Sequence, residues 1–325
     1  MKAFRIFLEN GKIAARIVTM DESDLTPGEV LVRVKYSGVN FKDALAGTGR
    51  GKILKKYPLN GGIDAAGVVE SCTDGSFKQG QEVLVHGCNT GELFDGGYAE
   101  KIRVASASLI EKPDGLTLQE TMLLGTAGFT AALAIERMRI NGQEPSKGPI
   151  VVTGATGGVG SFAVQMLAKI GYEVIAVSGK PDAKKYLMEL GAHKVVAPTE
   201  LQLGTRPLES VQFGGAIDNV GGELLQGIIA NTQLWGNVAS IGLASSADLN
   251  TTVMPFILRG VSILGISSNN TPQPIRKTVW KNLAKDWKPP HLNKVLSKTI
   301  GLDDLPQAFS DVMDRKVTGR ILVKI

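Results

Sequence analysis

The sequence predicts an α/β protein in which an all-β body is followed by a doubly wound parallel sheet. Up to about residue 120, alternating segments such as residues 30–36 are separated by turn dipeptides such as Pro27-Gly28 and Asp95-Gly96. That spacing is typical of a compact, barrel-like β body. Beyond residue 120, apolar β runs alternate with helical stretches, which predicts a parallel sheet covered on both faces.

The second half of the chain divides into regularly alternating elements. The predicted strands are residues 149–153, 173–177, 194–196, 215–218, 237–241 and 262–265. The predicted helices are residues 118–137, 159–169 and 181–190, with a further one up to about residue 284. That last helix should begin with Thr271 as its N-cap and Pro272 as its first residue. The final segment, residues 319–325, is a strand that could rejoin the β body.

Composition limits the classes of protein that fit. A chain of 325 residues predicts two domains, and 43% hydrophobic with 21% charged residues is typical of a globular fold. No uninterrupted apolar run of membrane length is visible, and the first residues lack the apolar core of a signal peptide. Two cysteines, Cys72 and Cys88, fit a reducing compartment. The net charge is +5, but the sequence contains no nucleic-acid-binding motif. We therefore expect a cytoplasmic protein with neither membrane nor nucleic acid among its partners.

A glycine-rich turn follows the predicted strand at residues 149–153. It occupies residues 155–160, with Ala155 in place of the first glycine of a dinucleotide fingerprint. Gly157 would let the backbone approach a pyrophosphate at the helix N-terminus, and Gly160 would let helix and strand pack closely. The alternative is a purely structural turn, but the strand–turn–helix–strand context favours a bound dinucleotide. The predicted contact residues are Thr156, Gly157, Gly158 and Val159.

The end of the following strand distinguishes NADPH from NADH. An NAD site usually offers a carboxylate there for the ribose 2′-hydroxyl. This chain instead has Ser178, Gly179 and Lys180, with no carboxylate before Asp182. A serine hydroxyl can donate to a 2′-phosphate and a lysine can neutralise it. A solvated polar strand end is the alternative, and we predict NADPH.

Four further segments, residues 38–43, 62–67, 125–131 and 252–259, carry a family resemblance. Together they resemble the medium-chain dehydrogenase/reductase superfamily, in its quinone-oxidoreductase-like branch that includes bacterial NADPH-dependent acrylyl-CoA reductases. The resemblance covers essentially the whole chain. It implies a GroES-like β-barrel catalytic domain at residues 1–122 and 294–325, and a Rossmann NADPH-binding domain at residues 123–293. It also implies a homodimer.

The same resemblance argues against a metal. The catalytic zinc ligands of the superfamily's alcohol dehydrogenases would align with Asn40, Ile63 and the neighbourhood of Thr126, none of which is a thiolate or an imidazole. The three histidines are dispersed along the chain, at positions 86, 193 and 291. Without a Lewis acid, reversible alcohol oxidation is disfavoured, so we expect no metal site and a zinc-independent reductase.

An electron-poor C=C bond conjugated to a carbonyl can be reduced without a metal, provided that donors stabilise the developing enolate. The candidate catalytic residues are Asn40, Asp43, Asp64 and Arg320. Asn40 could donate to a substrate carbonyl, or it could cap a turn. Asp43 and Asp64 could orient a water or relay a proton, or they could be ion-pair partners of Lys42 or Arg320. Both alternatives stay open.

The resemblance adds cofactor contacts that the residues alone do not indicate. These are Phe41, Thr126, Leu243, Ile257 and Ser268. Phe41 departs from the subfamily, which commonly has tyrosine at this position, so that any role of a hydroxyl is lost.

The sequence and the resemblance are compatible with three functions. The favoured hypothesis is reduction of a 2-enoyl thioester, acrylyl-CoA to propanoyl-CoA. The alternatives are an NADPH:quinone oxidoreductase and a noncatalytic NADPH-binding protein. A basic run could attract the phosphates of an acyl-CoA, or it could be a solvated loop. It comprises Arg50, Lys52, Lys55 and Lys56.

Overall fold

The computed structural model describes residues 1–325, which form sixteen strands and eight α-helices. The strands are β1 (Lys2–Glu9), β2 (Lys12–Thr19), β3 (Val30–Val39), β4 (Leu59–Asn60), β5 (Asp64–Cys72), β6 (Glu82–His86), β7 (Lys101–Val104), β8 (Ile110–Glu111), β9 (Ile150–Val152), β10 (Val174–Val177), β11 (Lys194–Val196), β12 (Phe213–Asp218), β13 (Thr232–Ser240), β14 (Ser262–Gly265), β15 (Leu296–Ile300) and β16 (Arg320–Lys324). The helices are α1 (Phe41–Thr48), α2 (Leu118–Ile140), α3 (Gly158–Lys169), α4 (Ala183–Glu189), α5 (Gly222–Ala230), α6 (Met254–Arg259), α7 (Gln273–Leu283) and α8 (Leu305–Met313).

The chain divides into two compact units. The first comprises Met1–Thr126, Ser268–Ala284 and Val295–Ile325, and the second comprises Ala127–Ser267 and Lys285–Lys294. These bounds differ from the predicted ones chiefly at residues 268–284, which we had assigned to the nucleotide-binding domain. Helix α7 belongs to the first unit because its Trp280 is fully buried there and donates to Nε2 of His86, at 2.8 Å.

The first unit is built on two sheets. The larger has the strand order β15-β16-β3-β5-β6-β8, with β7 also paired to β3, and the smaller has the order β2-β1-β4. Strand β16 pairs antiparallel with β3, which confirms that the C-terminal segment rejoins the β body. A core of apolar side chains, including Phe4, Tyr98 and Phe309, fills one side of this unit.

The second unit contains the predicted parallel sheet, in the order β11-β10-β9-β12-β13-β14. Strands β9 and β12 are buried throughout, as expected for a parallel sheet covered by helices. The chain runs outward from β9 to β10 and β11, then returns to place β12 on the other side of β9. The strand order therefore reverses between β9 and β12, and in sheets of this kind ligands bind outside the carboxyl ends of the strands at that point.

Helix α2 is long and apolar enough to cross a membrane, although the sequence contains no uninterrupted apolar run of that length. Its 23 residues meet that criterion by length and composition, but 78% of the apolar window is buried inside the protein. Burial of that extent is typical of a core helix. The helix is also interrupted at Gly125, whose φ of 49° and ψ of −154° are not helical.

Two local elements differ from the sequence analysis. Helix α7 begins at Gln273 with Pro272 as its N-cap, one residue later than predicted. Helix α1 was not predicted at all. It has only eight residues, and it is delimited by Asn40 at its N-cap and by Gly49, which ends it in the left-handed conformation at φ 71°.

Candidate active site

The first unit contains a buried polar network formed by the four residues predicted to be catalytic. We call it the carboxylate network, and its members are Asn40, Asp43, Asp64 and Arg320. Each is at most 8% exposed. Three elements bring them together: the first turn of α1, the start of β5 and the start of β16. Since β3 pairs with both β5 and β16, the beginnings of these two strands flank the end of β3, where Asn40 follows.

Asn40 links all the other members of the network. Its Nδ2 donates to Oδ2 of Asp43 at 3.1 Å and to Oδ2 of Asp64 at 2.8 Å. Its Oδ1 accepts from Nη1 of Arg320 at 2.7 Å. Because an amide nitrogen has two hydrogens, both donors are directed at the protein's own carboxylates. This geometry fits the capping alternative and leaves no side-chain donor of Asn40 for a substrate carbonyl.

Asp64 is the most heavily bonded carboxylate in the network. Its Oδ1 accepts from Oγ1 of Thr126 at 2.6 Å, and its Oδ2 lies 3.1 Å from the Thr126 backbone nitrogen. Nη2 of Arg320 lies 3.5 Å from the same Oδ2. Arg320 is further held by the carbonyl oxygens of Val39 and Leu123, at 2.9 and 3.2 Å. The sequence therefore indicated the Asp–Arg pair correctly among its alternatives.

Asp43 has no cation as a direct partner. It accepts from the backbone nitrogens of Asn40 and Ile63, both at 2.9 Å. Burial raises the pKa of Asp43 to about 7, and the negative charge of Asp64 adds to the increase. Lys42 is not its partner, contrary to one sequence alternative, because Nζ of Lys42 lies 2.8 Å from Glu92.

A tyrosine that sequence analysis missed lies beside the carboxylates. Tyr98 is fully buried, and its hydroxyl donates to the carbonyl of Gly38 at 3.0 Å. Burial raises its pKa well above the ordinary value, and the charges of Asp43 and Asp64 act in the same direction. Tyr98 thus stays protonated near neutral pH. The only sequence signal was its position directly after the Gly96-Gly97 turn.

Two glycines make room for the buried ion pair. A Cβ atom on Gly38 would lie 2.5 Å from Nη2 of Arg320, and one on Gly125 would lie 2.5 Å from Oδ2 of Asp64. Gly125 also needs its positive φ of 49°. The glycine therefore serves the network both by its backbone conformation and by its lack of a side chain.

The residues present do not fit a zinc ion. Ile63 is aliphatic, and neither Asn40 nor Thr126 offers the thiolate or imidazole that zinc prefers. Both oxygens of Asp64 already accept from Thr126, Asn40 or Arg320. No group of three or more His, Cys, Asp or Glu side chains is arranged to hold a metal ion.

The second unit presents the glycine turn at the carboxyl end of β9. Helix α3 begins at Gly158, with Gly157 as its N-cap. A Cβ on Gly160 would lie 2.5 Å from the carbonyl oxygen of Gly154, so only glycine allows the helix to approach the turn this closely. A Cβ on Gly157 would meet nothing nearer than 3.3 Å, which leaves the face above the turn open. This cradle fits a pyrophosphate at the helix N-terminus.

Two hydroxyl groups and a lysine lie at the ends of neighbouring strands. Oγ1 of Thr156 and Oγ of Ser178 are 3.4 Å apart, and Ser178 accepts from the backbone nitrogen of Lys180 at 3.2 Å. Lys180 is half-buried, and burial lowers its pKa. An anionic group near this ammonium would offset the cost of that burial. The arrangement therefore fits the 2′-phosphate of NADPH, and Gly179 lies exposed between the two side chains.

Sequence analysis also missed a polar pair at the carboxyl end of β12. Oγ1 of Thr153 donates to Asp218 at 2.6 Å, and Nδ2 of Asn219 donates to the carbonyl of Thr153 at 2.8 Å. These bonds tie the ends of β9 and β12 together where the strand order reverses. Burial raises the pKa of Asp218. The sequence signal was a polar pair directly after a buried apolar strand.

The remaining predicted cofactor contacts lie in both units. Phe41 and Ser268 belong to the first unit, and the Ser268 carbonyl oxygen accepts from Arg276 at 3.4 Å. Leu243 and Ile257 belong to the second. Phe41 is 45% exposed, Leu243 61% and Ile257 71%, so these three side chains are available to a ligand.

Replacing Gly125 with alanine should destabilise the protein strongly. The added Cβ would separate Asp64 from Arg320, and breaking a buried ion pair costs about 3–5 kcal/mol. Gly75→Ala is the matched control, because Gly75 also has a positive φ, of 73°, but open space around its Cα. That control should lose only about 1 kcal/mol. The measurement is urea unfolding followed by circular dichroism, and equal losses in both variants would contradict the role of Gly125.

Stability should depend on pH through Asp43. The pKa of Asp43 in the folded protein, about 7, lies above its ordinary value of 3.8, so folding takes up a proton between these values. The stabilisation is complete below about pH 4 and is lost as the pH rises through about 7. Asp43→Asn should flatten the dependence of the urea midpoint between about pH 5 and about pH 8. Asp303→Asn, at an exposed site, is the control, and an unchanged slope in Asp43→Asn would refute the assignment.

Comparison with known proteins agrees with this architecture. Residues 26–114 match the family model described as "Alcohol dehydrogenase GroES-like domain", and residues 158–285 match "Zinc-binding dehydrogenase". The chain is 43% identical to "Probable acrylyl-CoA reductase AcuI" of Escherichia coli, over 100% of both chains. It is 42% identical to "Putative quinone oxidoreductase YhfP" of Bacillus subtilis, over 96% of this chain and 95% of that protein.

Solved structures of related proteins have the same fold over the full length of the chain. The yhdH oxidoreductase of Salmonella enterica, in complex with NADP, is 43% identical over 100% of both chains, with a TM-score of 0.96. YhfP of Bacillus subtilis, with NAD bound, is 41% identical over 100% of this chain and 99% of that one, with a TM-score of 0.97. The predicted fold and family are therefore confirmed. The chain belongs to the medium-chain dehydrogenase/reductase superfamily, with a GroES-like domain and a Rossmann nucleotide-binding domain.

Proposed function

We propose that the protein is a zinc-independent, NADPH-dependent oxidoreductase that reduces the C=C bond of a 2-enoyl thioester, converting acrylyl-CoA to propanoyl-CoA. The observation that carries this proposal is the carboxylate network, in which Asp64 bonds to Asn40 and Thr126, two of the positions that the resemblance aligns with the zinc ligands of alcohol dehydrogenases. A site without a Lewis acid suits conjugate reduction better than alcohol oxidation. The full-length similarity to acrylyl-CoA reductase supports the same acceptor.

The residues of the second unit would hold the cofactor. The pyrophosphate would lie on the backbone of Thr156, Gly157, Gly158 and Val159, at the N-terminus of α3. The 2′-phosphate would meet Ser178, Gly179 and Lys180. When bound, NADPH supplies the hydride. Relatives crystallised with NADP and with NAD both exist, and a strand end that has Ser178 and Lys180 with no carboxylate before Asp182 favours NADPH here.

The contacts at the nicotinamide end are also proposals. Phe41 lies exposed on the first turn of α1, and Leu243 and Ile257 are exposed in the second unit, so each can pack against a ligand. Thr126 is fixed by its bonds to Asp64. Ser268 completes the proposed set, by its place in the sequence after β14.

The carboxylate network would act by positioning. Its polar atoms bond mostly to one another and to the backbone, so it fixes the first turn of α1, where Phe41 lies, and the backbone at Thr126. The network contains two carboxylates and one guanidinium, and partial protonation of Asp43 near neutral pH, with its pKa of about 7, limits the uncompensated charge. We therefore propose that these four residues hold the backbone at the cofactor contacts Phe41 and Thr126 in place, without touching the reacting atoms.

A quinone reductase is the second candidate, favoured by the similarity to YhfP. The basic residues after α1 distinguish the two candidates, because an acyl-CoA carries phosphates and a quinone carries none. A noncatalytic NADPH-binding protein is the third candidate, and in it the buried network would have no function beyond the fold.

The protein would act as a cytoplasmic homodimer with no membrane or nucleic-acid partner. Strand β14 lies at the edge of the six-stranded sheet. Beside it, Leu234 and Trp235 of β13 are 61% and 70% exposed. An exposed edge strand with large apolar neighbours suits association with a second copy. Both cysteines are free, which fits a reducing compartment.

Acrylyl-CoA should drive NADPH oxidation by the purified protein, and an added chelator should leave the rate unchanged because no step needs a metal. The measurement is the loss of nicotinamide absorbance with acrylyl-CoA or with a benzoquinone as the acceptor. Faster turnover of acrylyl-CoA supports the proposal. Turnover of quinones alone would replace it with the second candidate, and no turnover of either would favour a binding protein.

Lys180→Glu should narrow the preference of the protein for NADPH over NADH. The wild type should bind NADPH at least about tenfold more tightly than NADH, since a charged partner of the 2′-phosphate contributes about 1.5–3 kcal/mol. The variant should have a smaller preference because its carboxylate repels the phosphate. Quenching of nicotinamide fluorescence measures both affinities, with Lys184→Glu on the exposed face of α4 as the control. Equal affinities of the wild type for NADPH and NADH would remove the argument from Ser178 and Lys180.

A further inference from the structure

A strongly basic segment follows α1 in the first unit. Residues 44–63 contain no aspartate or glutamate and four cationic side chains, all exposed. We call this segment the basic loop, and its cations are Arg50, Lys52, Lys55 and Lys56. Four like charges within seven residues repel one another, so such a loop is favoured where it meets an anion.

The backbone of the basic loop is fixed. Leu54 is 3% exposed and lies in the core of the first unit. The backbone nitrogen of Lys55 donates to the carbonyl of Glu92 at 2.7 Å, and that of Gly51 donates to the carbonyl of Leu45 at 3.3 Å. The cations are therefore displayed from an anchored segment, so that an anion would bind without ordering the chain.

No carboxylate of the protein neutralises the loop. Nζ of Lys55 donates to the neutral amide oxygen of Asn89, at 3.0 Å. Glu92, the acidic side chain in the same neighbouring segment, is paired with Lys42 at 2.8 Å instead. None of the four cations of the loop forms an ion pair with a carboxylate. The local charge of +4 is thus left for a ligand.

We propose that the basic loop binds the phosphates of the 3′-phosphoadenosine 5′-diphosphate part of a CoA thioester. This assignment rests on the proposed function for the choice of substrate. A phosphomonoester carries a charge of about −1.5 to −2 at neutral pH, and the diphosphate adds about −2, so the ligand's charge matches that of the loop. The phosphates of NADPH have a separate cradle, in the second unit.

The loop would hold the substrate equally in the ground state and in the transition state, because the phosphates do not take part in the reaction. Its removal should therefore raise KM and leave kcat almost unchanged. Screening by salt should weaken the contact, since all four cations are exposed.

The test compares CoA, dephospho-CoA and pantetheine as ligands in isothermal titration calorimetry. The variant replaces all four cations: Arg50→Gln, Lys52→Gln, Lys55→Gln and Lys56→Gln. The matched control replaces three exposed lysines of the same unit that form no ion pair: Lys12→Gln, Lys35→Gln and Lys78→Gln. The variant should bind CoA about tenfold more weakly or worse, and the control should match the wild type. Dephospho-CoA should bind the wild type more weakly than CoA, and pantetheine should bind all three proteins alike.

Two outcomes overturn the assignment. One is unchanged CoA affinity in the variant, and the other is an equal loss for CoA and pantetheine. A salt dependence of CoA affinity that is steep in the wild type and shallow in the variant supports it. Steady-state kinetics with acrylyl-CoA separates this inference from the reductase proposal. If the variant reduces acrylyl-CoA with the wild-type KM, the phosphate site fails and the reductase stands. If the wild type binds CoA through the loop but does not reduce acrylyl-CoA, the reductase fails and the phosphate site stands.

Discussion

The buried ion pair between Asp64 and Arg320 connects four separate segments of the first unit, directly or through Asn40 and Thr126. It joins the start of β5 to the start of β16, and through Asn40 and Thr126 it also holds the first turn of α1 and the kink of α2. Burying two charges is costly unless hydrogen bonds satisfy the rest of each group. The amide of Asn40, the hydroxyl of Thr126 and two backbone carbonyls supply those bonds, and Gly38 and Gly125 leave the space.

The ion pair lies beside the positions that the resemblance aligns with the zinc ligands of alcohol dehydrogenases. Asp64 follows Ile63 in the chain and bonds to Asn40 and Thr126, and Asn40 is held by both Asp64 and Arg320. The remaining carboxylate, Asp43, has no cation of its own, and its pKa of about 7 reflects burial next to a second negative charge. Burial of the network therefore both fixes these segments and raises the pKa of Asp43.

The sequence predicted the parts of the fold that depend on local pattern. The strand–helix alternation gave the parallel sheet, and the glycine turn with Ser178 and Lys180 gave the candidate nucleotide site. What it missed depends on contacts between distant segments. No local sequence pattern predicts three of the observed contacts. They are Lys42 with Glu92, Tyr98 with the two carboxylates, and Trp280 of α7 with His86. Asn40 was assigned equally to a cap and to a substrate donor, and only the positions of Asp43, Asp64 and Arg320 show that its amide is already engaged.

A double-mutant cycle on Asp64 and Arg320 tests the central claim most directly. Asp64→Asn and Arg320→Met are each measured by urea unfolding and then combined. If the ion pair organises the first unit, each single change leaves an uncompensated group and lowers the free energy of unfolding by about 3–5 kcal/mol. The loss of unfolding free energy in the double variant should then be smaller than the sum of the two single losses, by at least about 2 kcal/mol. Single losses that add to within about 0.5 kcal/mol would contradict the account, because the two side chains would then contribute independently.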